Sequence, residues 1–169
     1  MKFFIEQIAI APTNPAAAKQ LLSEMGAVDW VEDQVVANGK VFGEDRSNIA
    51  NLSFNYELAK SYEFEVLDYF EGDNWVENGR ADTVCHLGMH CTADELWNWS
   101  EFFAARGIAV AQEVFTQSHT NETIKDSRRY NYVIFDTKAI LGVDVKFIVR
   151  KNVDGTDYVE ESKVEHHPA

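Results

Sequence analysis

The residues able to do chemistry are few, and most lie in segments that read as strands. Glu63 and Glu65 stand two apart within Tyr62–Tyr69. Alternate strand residues share a face, so their carboxylates point the same way unless the strand slips by one residue. His86 and His90 stand four apart in Thr83–Cys91. They share a face but lie about 13 Å apart, too far to hold one ion, although His90 could line a cavity. Lys146 falls in Val143–Arg150. A lysine whose pKa is lowered can act as a base or a Schiff-base nucleophile. Arg128-Arg129, just before Tyr130, is a paired basic spot in an acidic chain, with His119 in the preceding loop. It reads either as a clamp on an anionic substrate or as a surface pair answering nearby acids. The chain has no GxSxG, no phosphate-binding glycine loop and no GxGxxG.

Composition narrows the setting. The chain has 169 residues, 28 acids and 15 bases, a formal charge of −13 and a hydrophobic content of 46%. This is a globular composition, long enough for one domain or two small halves sharing a core. The negative surface disfavours nucleic acid and anionic membranes as partners. No run approaches the roughly 20 apolar residues of a membrane span, and the start departs from a signal peptide at Glu6 and Gln7. Cys85 and Cys91 would sit roughly 20 Å apart along one strand, too far for a disulfide. A reducing, cytoplasmic setting is the expectation.

The elements needed to position these residues come in an order that restarts. Phe3–Ala11 reads as a strand. Asn14 caps a helix with Pro15 at its first position, Leu21, Leu22 and Met25 form its apolar stripe, and Gly26 ends it. Val28–Val36, Ile49–Leu58 and Tyr62–Tyr69 are strands, with Asn38-Gly39 as a tight turn and Gly43–Ser47 as a looser one. Thr83–Cys91 is again a strand. Thr92 and Glu95 form a capping box for a helix running to Arg106, with Leu96, Trp99, Phe102 and Phe103 inward. Trp97 is left outward, where it could mark a subunit contact. Ile108–Phe115, Tyr130–Asp136 and Val143–Arg150 follow as strands.

Spacing supports two copies of one βαβββ unit. Gln7 precedes Gly26 by 19 residues and His86 precedes Gly107 by 21; Glu65 and Lys146 each follow their glycine by 39. The expected division is a first module at 1–70, a linker at 71–81, a second module at 82–151 and a tail at 152–169. Asp154-Gly155 would form a hairpin turn within that tail.

In both halves, Phe4–Gly26 and Cys85–Gly107, the chain resembles the vicinal oxygen chelate superfamily. That group includes glyoxalase I, the bleomycin-resistance proteins and the extradiol dioxygenases. The resemblance implies an α+β fold in which two tandem modules form a cupped mixed sheet around a cavity. It places metal ligands at Gln7, Glu65 and His86, with Glu63 in reserve for Glu65. The ion would be one divalent Ni, Zn, Mn or Fe. Lys146 falls at the fourth position, where such proteins usually carry Glu. An ammonium has no lone pair to give a metal. If it pairs with Glu65 instead, no metal is expected, since both charges buried alone would be costly.

Three functions follow from the resemblance. One is a metal-dependent lyase or isomerase that stabilises an enolate, with Glu65 and Lys146 as catalytic candidates. Another is a metal-free protein that binds or sequesters a small molecule; in either case His90, Arg128, Arg129 and Tyr130 are the substrate-binding candidates. The third is an interaction module that has lost the site. A homodimer is compatible with each.

Overall fold

The computed structural model describes residues 1–58, 62–72 and 84–156. Among these the order is β1 (Gln7–Ile10), α1 (Pro15–Glu24), β2 (Val31–Val41), β3 (Glu44–Asn55), β4 (Glu63–Gly72), β5 (Val84–His90), α2 (Ala93–Ala104), β6 (Val110–Ser118), β7 (Arg128–Phe135), α3 (Lys138–Leu141) and β8 (Asp144–Asn152). The eight strands form one mixed sheet in the order β1-β4-β3-β2-β6-β7-β8-β5, closed into a barrel. β1 runs parallel to β4 and β5 parallel to β8; the other neighbours are antiparallel. Most of the expected linker, from residue 73, and the tail from residue 157 lie outside the described residues.

Local chemistry starts both long helices. The Asn14 side chain accepts from the Ala17 amide at 3.0 Å, with Pro15 in the first turn. Thr92 and Glu95 cap each other's backbone at 3.2 and 2.9 Å. Neither α3 nor the full length of β2 follows from the expected pattern.

The sheet is closed rather than cupped, and the reason lies at Gly39. Asn38-Gly39 is not a turn: both residues sit inside β2, paired with Ser47 and Arg46 on one side and with Phe115 and Val114 on the other. A Cβ on Gly39 would lie 2.1 Å from the Glu113 carbonyl oxygen. Only glycine lets β2 and β6 come this close, and their pairing shuts the barrel. The turn falls instead at Phe42 and Gly43, both at positive φ (47° and 84°), so β3 begins at Glu44 rather than after a loose loop. At the other end, Gly155 (φ 84°) makes the expected tight turn, its amide reaching the Asn152 carbonyl at 2.9 Å.

Alternation along β8 divides its residues between two environments. Val145, Phe147 and Val149 face outward under α2, where they join Met89, Leu96, Trp99, Phe103, Val133 and Phe135 in the main apolar core. Lys146, Ile148 and Arg150 face the lumen. Stacked and edge-on rings tie this core together, with Phe103 and Phe135 at 4.3 Å and Trp99 and Phe147 at 5.0 Å. By contrast, α1 buries no residue: Leu21 and Met25 of its expected apolar stripe are 59% and 71% exposed. Both cysteines are free thiols. No helix among the described residues is long and apolar enough to cross a membrane.

Candidate functional site

A cavity of about 80 Å³ lies within the barrel. Its polar wall is built by alternation on four strands: Gln7 from β1, Glu63 and Glu65 from β4, His90 from β5, and Lys146 and Arg150 from β8. Val35, Leu52, Phe54, Ile148, Tyr130 and Tyr132 form the apolar and aromatic side, and Ile124 reaches in from the β6–β7 connection. Asp33 also lines the cavity and accepts from Ser118 at 2.8 Å and from the Asn121 amide at 3.2 Å, tethering that connection.

Gln7 organises the polar wall. Its amide nitrogen donates to Glu63 at 2.9 Å, which leaves its oxygen to accept from His86 Nε2 at 2.8 Å. Space for this side chain comes from Gly88, where a Cβ would meet Gln7 Cβ at 2.9 Å and its Oε1 at 3.0 Å. His86 is fully buried and sits in the wall behind the cavity rather than on its surface. Glu65 Oε2 lies 3.4 Å from His86 Nε2 and 3.8 Å from Lys146 Nζ, and it accepts no hydrogen bond among the described residues. The Lys146 ammonium also stands 4.5 Å from the centre of the Tyr132 ring. Burial, reinforced by the charge of Glu65, pushes the Glu63 carboxyl up to about 7. Arg150, the Gln7 hydrogen bond and Lys146 oppose that rise.

The three expected ligands are thus brought together, yet with Lys146 beside them they do not fit a divalent ion. His86 Nε2 directs its proton to Gln7, and the ammonium lies only 3.4 Å from the same nitrogen. An ion bound there would need that nitrogen's lone pair and would face a fixed positive charge.

A second buried group adjoins the cavity. Arg150 Nη2 lies 2.9 Å from His90 Nε2. A guanidinium only donates, so this nitrogen is an acceptor and the ring proton sits on Nδ1. Nδ1 in turn lies 3.4 Å from Glu6 Oε2, which also accepts from the His90 amide at 2.7 Å.

Of the expected binding residues, His90 and Tyr130 line the cavity, while Arg128 and Arg129 do not. Arg129 donates to the carbonyls of Lys125 and Arg128 at the start of β7. Glu6, Arg150 and Tyr132 belong to the site without having been expected there. For Arg150 and Tyr132 the signal was strand alternation, four residues on from Lys146 and two on from Tyr130. Glu6 precedes β1 and carries no such signal. No protein-family model matches the chain, and no curated protein matches it.

Proposed function

We propose that this chain is a small-molecule-binding protein of the vicinal oxygen chelate type that works without a metal. The observation that carries this reading is the Lys146 ammonium, held 3.4 Å from His86 Nε2 and 3.8 Å from Glu65 Oε2 beside a cavity. It supplies the positive charge that a metal would otherwise bring to Glu65. The reading includes two tandem βαβββ units. Their support is the strand order, β1-β4-β3-β2 in one half and β5-β8-β7-β6 in the other, with the first and last strand of each half parallel.

A second reading, a lyase or isomerase, draws on Glu63. A carboxyl that ionises near pH 7 at a cavity suits general acid–base work. In this form the proton transfers use Glu63 with Lys146 nearby and need no metal.

Ligand-dependent thermal unfolding against a panel of small polar compounds tests the binding reading. A ligand that binds only the folded chain raises its melting temperature in a saturable way. The expected result is such a shift in the wild type, lost in Leu52→Trp, which fills the cavity. Shifts that survive the filled cavity would place binding elsewhere and contradict the proposal.

A further inference from the structure

We propose that Glu6, His90 and Arg150 form a proton-operated latch in the cavity wall: the neutral His90 ring holds the Arg150 guanidinium, and a further proton on that ring releases it. The latch belongs to the wall and does not depend on which compound the cavity takes.

Three observations carry it. First, the state of the ring is fixed from both sides. Arg150 Nη2 donates to His90 Nε2 at 2.9 Å, while Nδ1 faces Glu6 Oε2 at 3.4 Å. A guanidinium stays charged and has no acceptor, so this contact lasts only while Nε2 keeps its lone pair. A second ring proton would set N–H against N–H and positive against positive, between side chains that are both buried. Histidine is the side chain that ordinarily gains such a proton close to neutral pH.

Second, the two partners of the ring are not equally free to move. Glu6 Oε2 also accepts from the His90 amide at 2.7 Å, and the Glu6 amide donates to the Gly88 carbonyl at 2.8 Å. These bonds tie the carboxylate to β5, and a protonated ring attracts it further. Arg150 reaches the ring through a long side chain, so the guanidinium is the group that leaves.

Third, His90 and Arg150 both line the cavity. A guanidinium released from the ring therefore stays at the wall with its donors toward the lumen. Among the described residues, the other charged or titratable groups facing that space are Lys146 on β8, Glu63 and Glu65 on β4 and Asp33 on β2. Glu63 already feels the charge of Arg150.

Nitrogen NMR of the full chain, labelled at histidine and arginine, tests the latch from about pH 8 down to about pH 5. At the upper end His90 should carry its proton on Nδ1 alone. As the pH falls Nε2 should gain one, and the Arg150 signals should shift with the same midpoint. Arg150→Met removes the opposing charge and should raise the ring's midpoint by about one pH unit or more; Glu6→Gln should lower it similarly. His90→Gln keeps an acceptor near the Nε2 position without titrating, so its Arg150 signals should stay fixed. Each protein is read also with Glu63→Gln, which removes the titration of that neighbouring carboxyl. Circular dichroism checks folding; if Arg150→Met does not fold, Glu6→Gln and His90→Gln still decide. A ring protonated on Nε2 alone at the upper end, or one state of the ring throughout, would overturn the latch. So would Arg150 signals that ignore the titration of the ring or that still shift with His90→Gln and Glu63→Gln together.

Discussion

β4 runs parallel to β1 and β8 parallel to β5, so strands β1–β4 and β5–β8 can be set side by side as two halves of the barrel wall. Toward the lumen, however, β4 presents Glu63 and Glu65, whereas β8 presents Lys146 and Arg150. The flanking strands deepen the contrast, with Gln7 on β1 beside the acids and His86 and His90 on β5 beside the bases. A buried charge is tolerated only when another answers it, so each half supplies what the other lacks. The polar wall therefore belongs to the whole barrel and to neither half alone.

The largest way to break this comparison is Lys146→Met. It keeps the length of the side chain but leaves Glu65 buried beside Glu63 without its nearest cation. A loss of about 3–5 kcal/mol is expected in urea unfolding at neutral pH. Adding Glu65→Gln should restore part of it, so that the two effects are not additive. Independent effects would mean that the pair does not hold the halves together.

The same contrast between halves appears outside the barrel. α2 packs Leu96, Trp99 and Phe103 onto the strands, whereas α1 buries nothing. Phe103→Ala should cost about 3–5 kcal/mol, since the site is closely stacked and cannot collapse easily.

Next in size is the effect of pH on Glu63. Its folded pKa, about 7, lies above the ordinary 4.5. Between these values the folded chain holds a proton that the unfolded chain has lost. This contribution to stability is full below 4.5 and is lost as pH rises through about 7. Glu63→Gln removes the loss, so its stability relative to wild type should rise by up to about 3 kcal/mol from pH 4 to about pH 8. Unfolding curves across that range check it; a constant difference would show that Glu63 titrates normally. The smallest expected effect is that of Leu21→Ala on the outer face of α1, below about 0.5 kcal/mol by the same urea assay. A loss of several kcal/mol there would remove the contrast between the helices.

What could be read in the sequence was local. Asn14-Pro15 and the Thr92–Glu95 box mark their helices because capping acts within a few residues. The shared face of Glu63 and Glu65 follows from strand alternation, which also reaches Arg150 from Lys146. Closure of the barrel did not follow. Gly39 looks like a turn residue beside Asn38, and only the approach of Glu113, 74 positions away, explains it. The stripe of Leu21 and Met25 misled for the related reason that periodicity marks a face but not a partner for it. Glu6 became a partner of His90 through a segment outside any regular strand.

The central claim is that Lys146 is the cation of this site. Calorimetric titration of wild type and Lys146→Glu with Mn²⁺, Ni²⁺ and Zn²⁺ tests it most directly, with circular dichroism confirming that both are folded. The account predicts no binding at this site in the wild type. It predicts near-stoichiometric binding in the variant, where Gln7, Glu65 and His86 gain a fourth donor, and loss of that binding on adding His86→Ala. Tight one-to-one binding by the wild type that His86→Ala abolishes would contradict it, as would a folded Lys146→Glu that binds none of the three ions.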